Sequence, residues 1–501
     1  MRRITGASVL VGTLVLGCAI GAQSAGVPRI WDDAALADWA TPVAGLNVRP
    51  AHYSSAEYYA SPEDNYRTYP VYHPDREPPG YWKWLQQQKP TKLVDAGSLR
   101  TRADWVAAGK RAFHEIDLPL VRTNDPAVIA QMRDAARPRD DRVLPDGRLA
   151  GPMRWVVTPD GVMATTLACA NCHRIGAGGA AALTAPPRVA RGPLAGPAGT
   201  ARRLRAFYLN DPVPVALWRE FTVPWAPDPR VEQFKTMSVE ALQGLRGDDG
   251  LGRSFSGGVF ARSNGSPYAV TRILDLQNLK DSRYMDVTGS HRLRGPEDVG
   301  RYAALVTGAD RMDFGPHRIL TDAQRRVRYH FADEVLYAIG VYLLSLDPPA
   351  NPNRPPADLI ARGERVFHRE ECATCHAPPA YTTGRLTTAA GFIVPPDHPN
   401  RADIARVSVE TDPDVALKTR KGTGLYKVPS LRGVWYRTRL LHDGSVASLE
   451  ELFDPTRLRP NYEPKGWNPP GITGRPVPGH IFGLRLSDED KRALVAFLRS
   501  L

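Results

Sequence analysis

Cysteine is scarce in this chain of 501 residues, which holds five, and long apolar runs are scarcer still. So few cysteines cannot build the disulfide framework that staples small secreted domains. The one clear apolar run, Val9 to Leu16, is too short to cross a bilayer, which excludes a polytopic membrane protein. Methionine does not occur after Met312, and histidine does not occur between Arg174 and Ser290. Each gap removes a metal ligand from that stretch. What is present suffices for folded cores: 42% hydrophobic and 8% aromatic residues against 24% charged, which excludes a wholly disordered chain. The length allows about two to four domains. A formal charge of +12 permits an acidic partner but names none, and nucleic acid is not expected.

The first cysteine belongs to an address. Arg2 and Arg3 precede the apolar run, and Ala22-Gln23-Ser24 reads as a small-residue cleavage site before Ala25. Residues 1–24 are therefore expected to be a secretory signal peptide, giving a periplasmic or secreted protein. An alternative is that Val15-Leu16-Gly17-Cys18 acts as a lipobox, with Cys18 carrying a lipid anchor. Loss of Arg2 and Arg3 leaves the mature chain still basic.

The other four cysteines form two copies of one device, Cys169-Ala-Asn-Cys172-His173 and Cys372-Ala-Thr-Cys375-His376. C-x-x-C-H is the attachment signature of c-type haem. Two thiols at that spacing add across the two vinyl groups of one haem, and the adjoining imidazole becomes the proximal ligand of the iron. A zinc site of four thiolates would leave both following histidines unexplained and would span more sequence than zinc pairs do. A thioredoxin-like dithiol needs a βαβ setting that this sequence does not offer. The reading is two covalently bound haem c groups.

Residues 25–98 are rich in Pro, Tyr and Trp, and are expected to form an extended arm with little regular structure, wrapped on the surface. Residues 99–347 are read as an N-terminal c-haem domain, the catalytic candidate. Within it a helix is predicted over 103–114, and a hairpin from Arg154–Thr158 through Asp160-Gly161 to Val162–Leu167. A Gly/Ala/Pro-rich loop follows over 176–200, and a later helix runs from a Thr321 cap to Leu346. Residues 348–356 are a Pro-rich linker. Residues 357–501 are a C-terminal c-haem domain for electron transfer. Its first helix, 357–370, carries Gly363 and Phe367, and its last opens at Ser487 with Asp490 as a capping pair. The fold class is mainly α: two cytochrome c-like haem domains with long loops and an irregular N-terminal arm.

Further segments carry a resemblance. Tyr426-Lys427-Val428-Pro429-Ser430-Leu431-Arg432, His442-Asp443-Gly444-Ser445 with Leu449-Glu450-Glu451, and Ala493-Leu494-Val495-Ala496-Phe497-Leu498 accompany the two haem motifs. Together they resemble the bacterial di-haem cytochrome c peroxidase superfamily, which includes the MauG-type enzymes and the di-haem rubber oxygenases. The likeness is specific over 357–501 and at the first motif, and weak over 25–150 and most of 175–320. It implies two facing haem domains, with the C-terminal haem relaying electrons and the N-terminal haem carrying the reaction. It also implies a distal ligand shortly before the terminal helix, which falls on His480, with His442 as the alternative. A calcium ion held partly by carbonyls of Tyr426 to Ser430 is a further implied cofactor.

For the first haem, the superfamily's early distal histidine has no counterpart here. The iron of His173 is therefore expected to keep an open face for hydrogen peroxide or dioxygen. His291 is the next histidine, with Met237 and Met285 as other donors, and His291, Glu240 and Gln243 are the acid/base candidates. Trp218, Trp225 and Trp435 are candidate electron relays between the haems. Three functions stay open: a peroxidase fed by a small exported cytochrome c or cupredoxin, a haem oxidase or oxygenase acting on an organic or protein substrate, and an electron-transfer cytochrome without catalysis.

Overall fold

A computed structural model describes residues 26–134, 143–173, 223–236, 238, 258–259, 268–469 and 472–501. Five helices carry the architecture: α1 (Arg102–Glu115), α2 (Pro296–Ala304), α3 (Asp333–Leu344), α4 (Ala357–Arg369) and α5 (Asp488–Ser500). Helix α1 starts at a reciprocal cap, in which Thr101 accepts from the Asp104 amide and Asp104 accepts from the Thr101 amide. Helix α5 starts where Ser487 accepts from the Asp490 amide, and three acidic residues in its first turn suit the positive end of the helix dipole. Helix α3 buries residues all round, from Val335 to Leu343, and is a core helix.

Two crossings organise these helices, and both depend on a glycine. A Cβ on Gly109 of α1 would stand 1.9 Å from the Ala338 carbonyl oxygen of α3 and 2.7 Å from the Tyr342 Cβ. A Cβ on Gly363 of α4 would stand 2.0 Å from the Ala493 carbonyl oxygen of α5 and 2.7 Å from the Phe497 Cβ. Four residues after each glycine an aromatic closes the contact: Phe113 lies 5.9 Å from Tyr342, and Phe367 lies 5.2 Å from Phe497, ring to ring. The same four-residue device thus recurs in the two halves of the chain. Each crossing sits inside a separate apolar cluster, and each cluster takes in a cysteine of one C-x-x-C-H motif, Cys169 or Cys372.

The hairpin appears as two paired strands, Met153–Thr158 and Gly161–Thr166, joined on one edge by Thr68–Pro70. Among the described residues there are five further sheets, each of two short strands, so the chain mixes its helices with small sheets and long loops. The mainly α expectation holds for the helix pairs and not for the whole. No described helix is long and apolar enough to cross a membrane.

Two expectations fail for clear reasons. The helix predicted from Thr321 begins only at Asp333, because His330–Phe331 pairs in parallel with Glu63–Asp64. The His330 and Ala332 amides donate to the Pro62 and Asp64 carbonyls, both at 3.0 Å, so they are not available to a helix. The arm is not a surface wrapping either. Trp31 and Trp39 are fully buried with Tyr58 in the cluster that holds α1 and α3. Trp31 stacks on Tyr58 at 4.7 Å, and the two indole N–H groups donate to the Tyr53 and Arg292 carbonyls at 2.9 and 3.0 Å. An aromatic whose polar handle finds an internal acceptor is stable in a core.

Gly363→Ala should force α4 and α5 apart and lower the unfolding free energy by about 1–3 kcal/mol. Gly26→Ala, where nothing lies within 4 Å, should change it by less than about 0.5 kcal/mol. Urea denaturation midpoints of the two variants check this.

Candidate functional site

His376 follows the single turn Cys372–Thr374, and its amide closes on the Cys372 carbonyl at 2.9 Å. Its Nδ1 lies 3.2 Å from the Tyr381 carbonyl oxygen. A carbonyl only accepts, so the proton sits on Nδ1 and Nε2 keeps a bare lone pair, the state a metal-binding imidazole needs. Burial pulls the ring down to about 4, which keeps it neutral. His173 repeats the device: its amide closes on the Cys169 carbonyl at 2.9 Å, and its Nδ1 lies 3.2 Å from the carbonyl of Leu274, 101 residues further on. Burial lowers this ring as well.

His480 has φ 46° and follows Gly479 at φ 83°, two successive residues in the left-handed region. That tight path is held by Arg457, whose whole side chain is buried. Its Nη2 donates to the Gly479 and His480 carbonyls at 2.7 and 2.9 Å, its Nε donates to the Leu452 carbonyl at 3.0 Å, and its Nη1 donates to the Val477 carbonyl. The His480 amide donates to the Val409 carbonyl at 2.8 Å. Burial brings the His480 ring down to about 4, with a smaller contribution from His376. The His173, His376 and His480 side chains are half-buried. This donor set fits a c-type haem at the second motif: two neutral imidazoles, with Cys372 and Cys375 outside any disulfide. At the first motif His173 is primed in the same way, but no described histidine acts on it as His376 acts on His480.

The other expected residues fall elsewhere. His442 tilts against Tyr426 at 4.6 Å and lines a separate cavity of about 420 Å³ with Asp412, Asp443 and Trp467. His291 is buried in the aromatic core built by the arm, 4.2 Å from Trp39 and 5.7 Å from His52 between rings, with Nδ1 on the Ser290 hydroxyl at 2.9 Å. Met285 packs in that same core. Trp225 packs on Phe314 at 5.0 Å, and Trp435 donates from Nε1 to the Pro349 carbonyl at 3.0 Å. Glu240, Gln243, Met237, Trp218, the side chain of Cys172, the loop 176–200 and residues 1–24 with Cys18 lie outside the described residues. In the proposed calcium loop, the Val428 and Ser430 carbonyls accept from Thr382 Oγ1 at 2.7 Å and Arg437 Nη1 at 2.8 Å. Among the described residues no group of three or more His, Cys, Asp or Glu side chains is placed to hold a metal.

Sequence reasoning missed the groups that hold the histidines. The Leu274 and Tyr381 carbonyls carry no side-chain signal, and Arg457 looks like any surface arginine in sequence. The segment around Leu274 also ties the two halves together. The Arg272 amide donates to the His442 carbonyl at 3.0 Å, its Nε donates to the Leu441 carbonyl at 2.8 Å, and Asn278 donates to the Arg432 carbonyl at 3.1 Å.

No protein-family model matches the sequence, and no curated protein matches it. Among solved structures, the chain is similar to hydrazine synthase from Kuenenia stuttgartiensis, at 16% identity and a TM-score of 0.28, over 48% of this chain and 74% of that one. It is also similar to a MauG-like protein associated with microbial copper homeostasis, at 22% identity and a TM-score of 0.22, over 34% of this chain and 56% of that one.

Arg457→Leu should cost about 3 kcal/mol of stability, because it removes charge-assisted hydrogen bonds and orphans buried carbonyls. Chemical denaturation measures that loss.

Proposed function

We propose that this chain is an exported di-haem c-type cytochrome that acts as a peroxidase, with hydrogen peroxide reduced at the first motif and electrons relayed by the second. The observation that supports this reading is the inequality of the two histidine sites. His480 is buried with no hydrogen-bond partner on Nδ1 among the described residues, whereas the segment after the first motif, Arg174 to Ser290, holds no histidine. An iron ligated on both faces passes electrons, and one with an open face also takes up peroxide. The haems, when bound, supply the redox chemistry.

The chain's own residues anchor and tune. Cys169, Cys172, Cys372 and Cys375 hold the groups covalently. The Leu274 and Tyr381 carbonyls fix the tautomers of His173 and His376 and make each Nε2 more basic. Arg457 sets the path that presents His480. Each peroxide takes two electrons and two protons and yields two waters. The electrons arrive from a small exported cytochrome c or cupredoxin that meets a basic protein. An oxidase or oxygenase acting on an organic substrate is the second reading, favoured by the absence of histidine between Arg174 and Ser290 and by the long separation of the two motifs.

Electron paramagnetic resonance of the resting protein should show one low-spin and one high-spin iron, and His480→Ala should abolish the low-spin signal. Two low-spin signals without a high-spin one would sink both enzymatic readings and leave an electron carrier. Turnover of peroxide with reduced cytochrome c, set against oxygen uptake with organic substrates, separates the peroxidase from the oxygenase.

A further inference from the structure

The cavity of about 420 Å³ beside His442 plays no part in the haem chemistry proposed above. Its walls carry three carboxylates, Asp412, Asp414 and Asp443, against two guanidiniums, Arg230 and Arg475. Both guanidiniums are engaged within the protein. Arg230 pairs with Asp228 and with Asp414, which also meets Lys418 at 2.8 Å, and Arg475 pairs with Asp443 at 3.1 Å. Asp412 is left over. One of its oxygens accepts from the Asp414 amide at 3.0 Å, and among the described residues no cation pairs with the other. Burial raises this carboxyl, as it does for a carboxylate drawn from water without a counterion. His442 is the second group in want of a partner. It is 7% exposed, tilts against the Tyr426 ring at 4.6 Å, and its Nδ1 is enclosed with no hydrogen bond. Nε2 is therefore the ring nitrogen left to serve a ligand, as donor or acceptor. Val270, Val415 and Trp467, all buried, make the rest of the wall apolar.

These groups select the ligand. An organic acid would set its charge against Asp412, and a wholly apolar molecule would cover that carboxylate without pairing it. A protonated amine supplies the missing cation, donates to Asp412 in a charge-assisted hydrogen bond, and rests its hydrocarbon on the apolar wall. We infer that this cavity binds a small organic amine, with its ammonium on Asp412, its body against Val270, Val415 and Trp467, and His442 Nε2 as a second polar contact. The place gives binding a consequence. Thr411, next in the chain to Asp412, packs on the turn that presents His480: a Cβ on Gly479 would stand 2.4 Å from the Thr411 Cα. The His480 amide donates to the Val409 carbonyl at 2.8 Å. The amine site and the His480 turn thus share one segment, Val409 to Asp412.

Isothermal titration calorimetry of the intact protein with benzylamine, benzyl alcohol and benzoate tests this, because the three share a ring and differ in charge. Benzylamine should bind saturably, and the other two about tenfold more weakly or worse. Asp412→Asn keeps the shape and removes the charge, so it should weaken benzylamine by about tenfold or more. Ile472→Trp adds bulk to the cavity wall from an exposed position, which spares the fold. It should abolish the binding heat even if the asparagine variant does not fold. No saturable heat with benzylamine overturns the proposal, and so does an unchanged affinity in either folded variant. Benzyl alcohol binding as tightly as benzylamine removes the role of Asp412 and overturns it as well. Benzoate binding more tightly than benzylamine assigns the cavity to an anion and overturns the amine. The heats need no haem, so a chain whose cysteines carry none defeats the di-haem reading while the amine site stands or falls on its own titration.

Discussion

An imidazole that is to bind a metal through Nε2 must hand its Nδ1 proton to an acceptor, and in this protein both acceptors are main-chain carbonyls. Tyr381 serves His376 from within the same loop, 3.2 Å away, and Leu274 serves His173 across 101 residues of sequence. The course of the chain follows from the second of these bonds. To deliver the Leu274 carbonyl, the segment from 268 onward runs beside the first motif and is fastened on its other side to Leu441, His442 and Arg432. The seam between the two halves is thus organised around one proton.

The helix crossings supply the rigid frame. Gly109 with Phe113 meets Ala338 with Tyr342, and Gly363 with Phe367 meets Ala493 with Phe497, so each half uses a backbone-to-backbone approach that any side chain would block. Close packing of this kind transmits small displacements instead of absorbing them. It also accounts for the buried arm. Trp31, Trp39 and Tyr58 fill space against the α1 and α3 pair that the short helices alone do not cover.

The parts of this structure that follow local rules were legible in sequence. The capping pairs at Thr101 and Ser487, the alternating hairpin strands and the two C-x-x-C-H motifs each depend on residues a few positions apart. What escaped depends on distant partners. Thr321 to Phe331 has an apolar spacing suited to a helix, but residues 62–64 claim its backbone. Trp39 reads as surface decoration because its acceptor, the Arg292 carbonyl, lies 253 residues away. Arg457 shows the same limit: an arginine's sequence neighbours do not reveal whether its nitrogens will meet water or buried carbonyls.

Read in time instead of space, the Leu274 bond delays the setting of the first motif. A growing chain presents Cys169 to His173 first, yet the carbonyl that sets His173 follows 101 residues later, and Leu441, which fastens Arg272, lies 169 residues beyond it. His376 waits for only five residues. The first motif therefore waits on a partner far along the chain, so a protein interrupted before residue 274 carries it with an imidazole that has no carbonyl to set it.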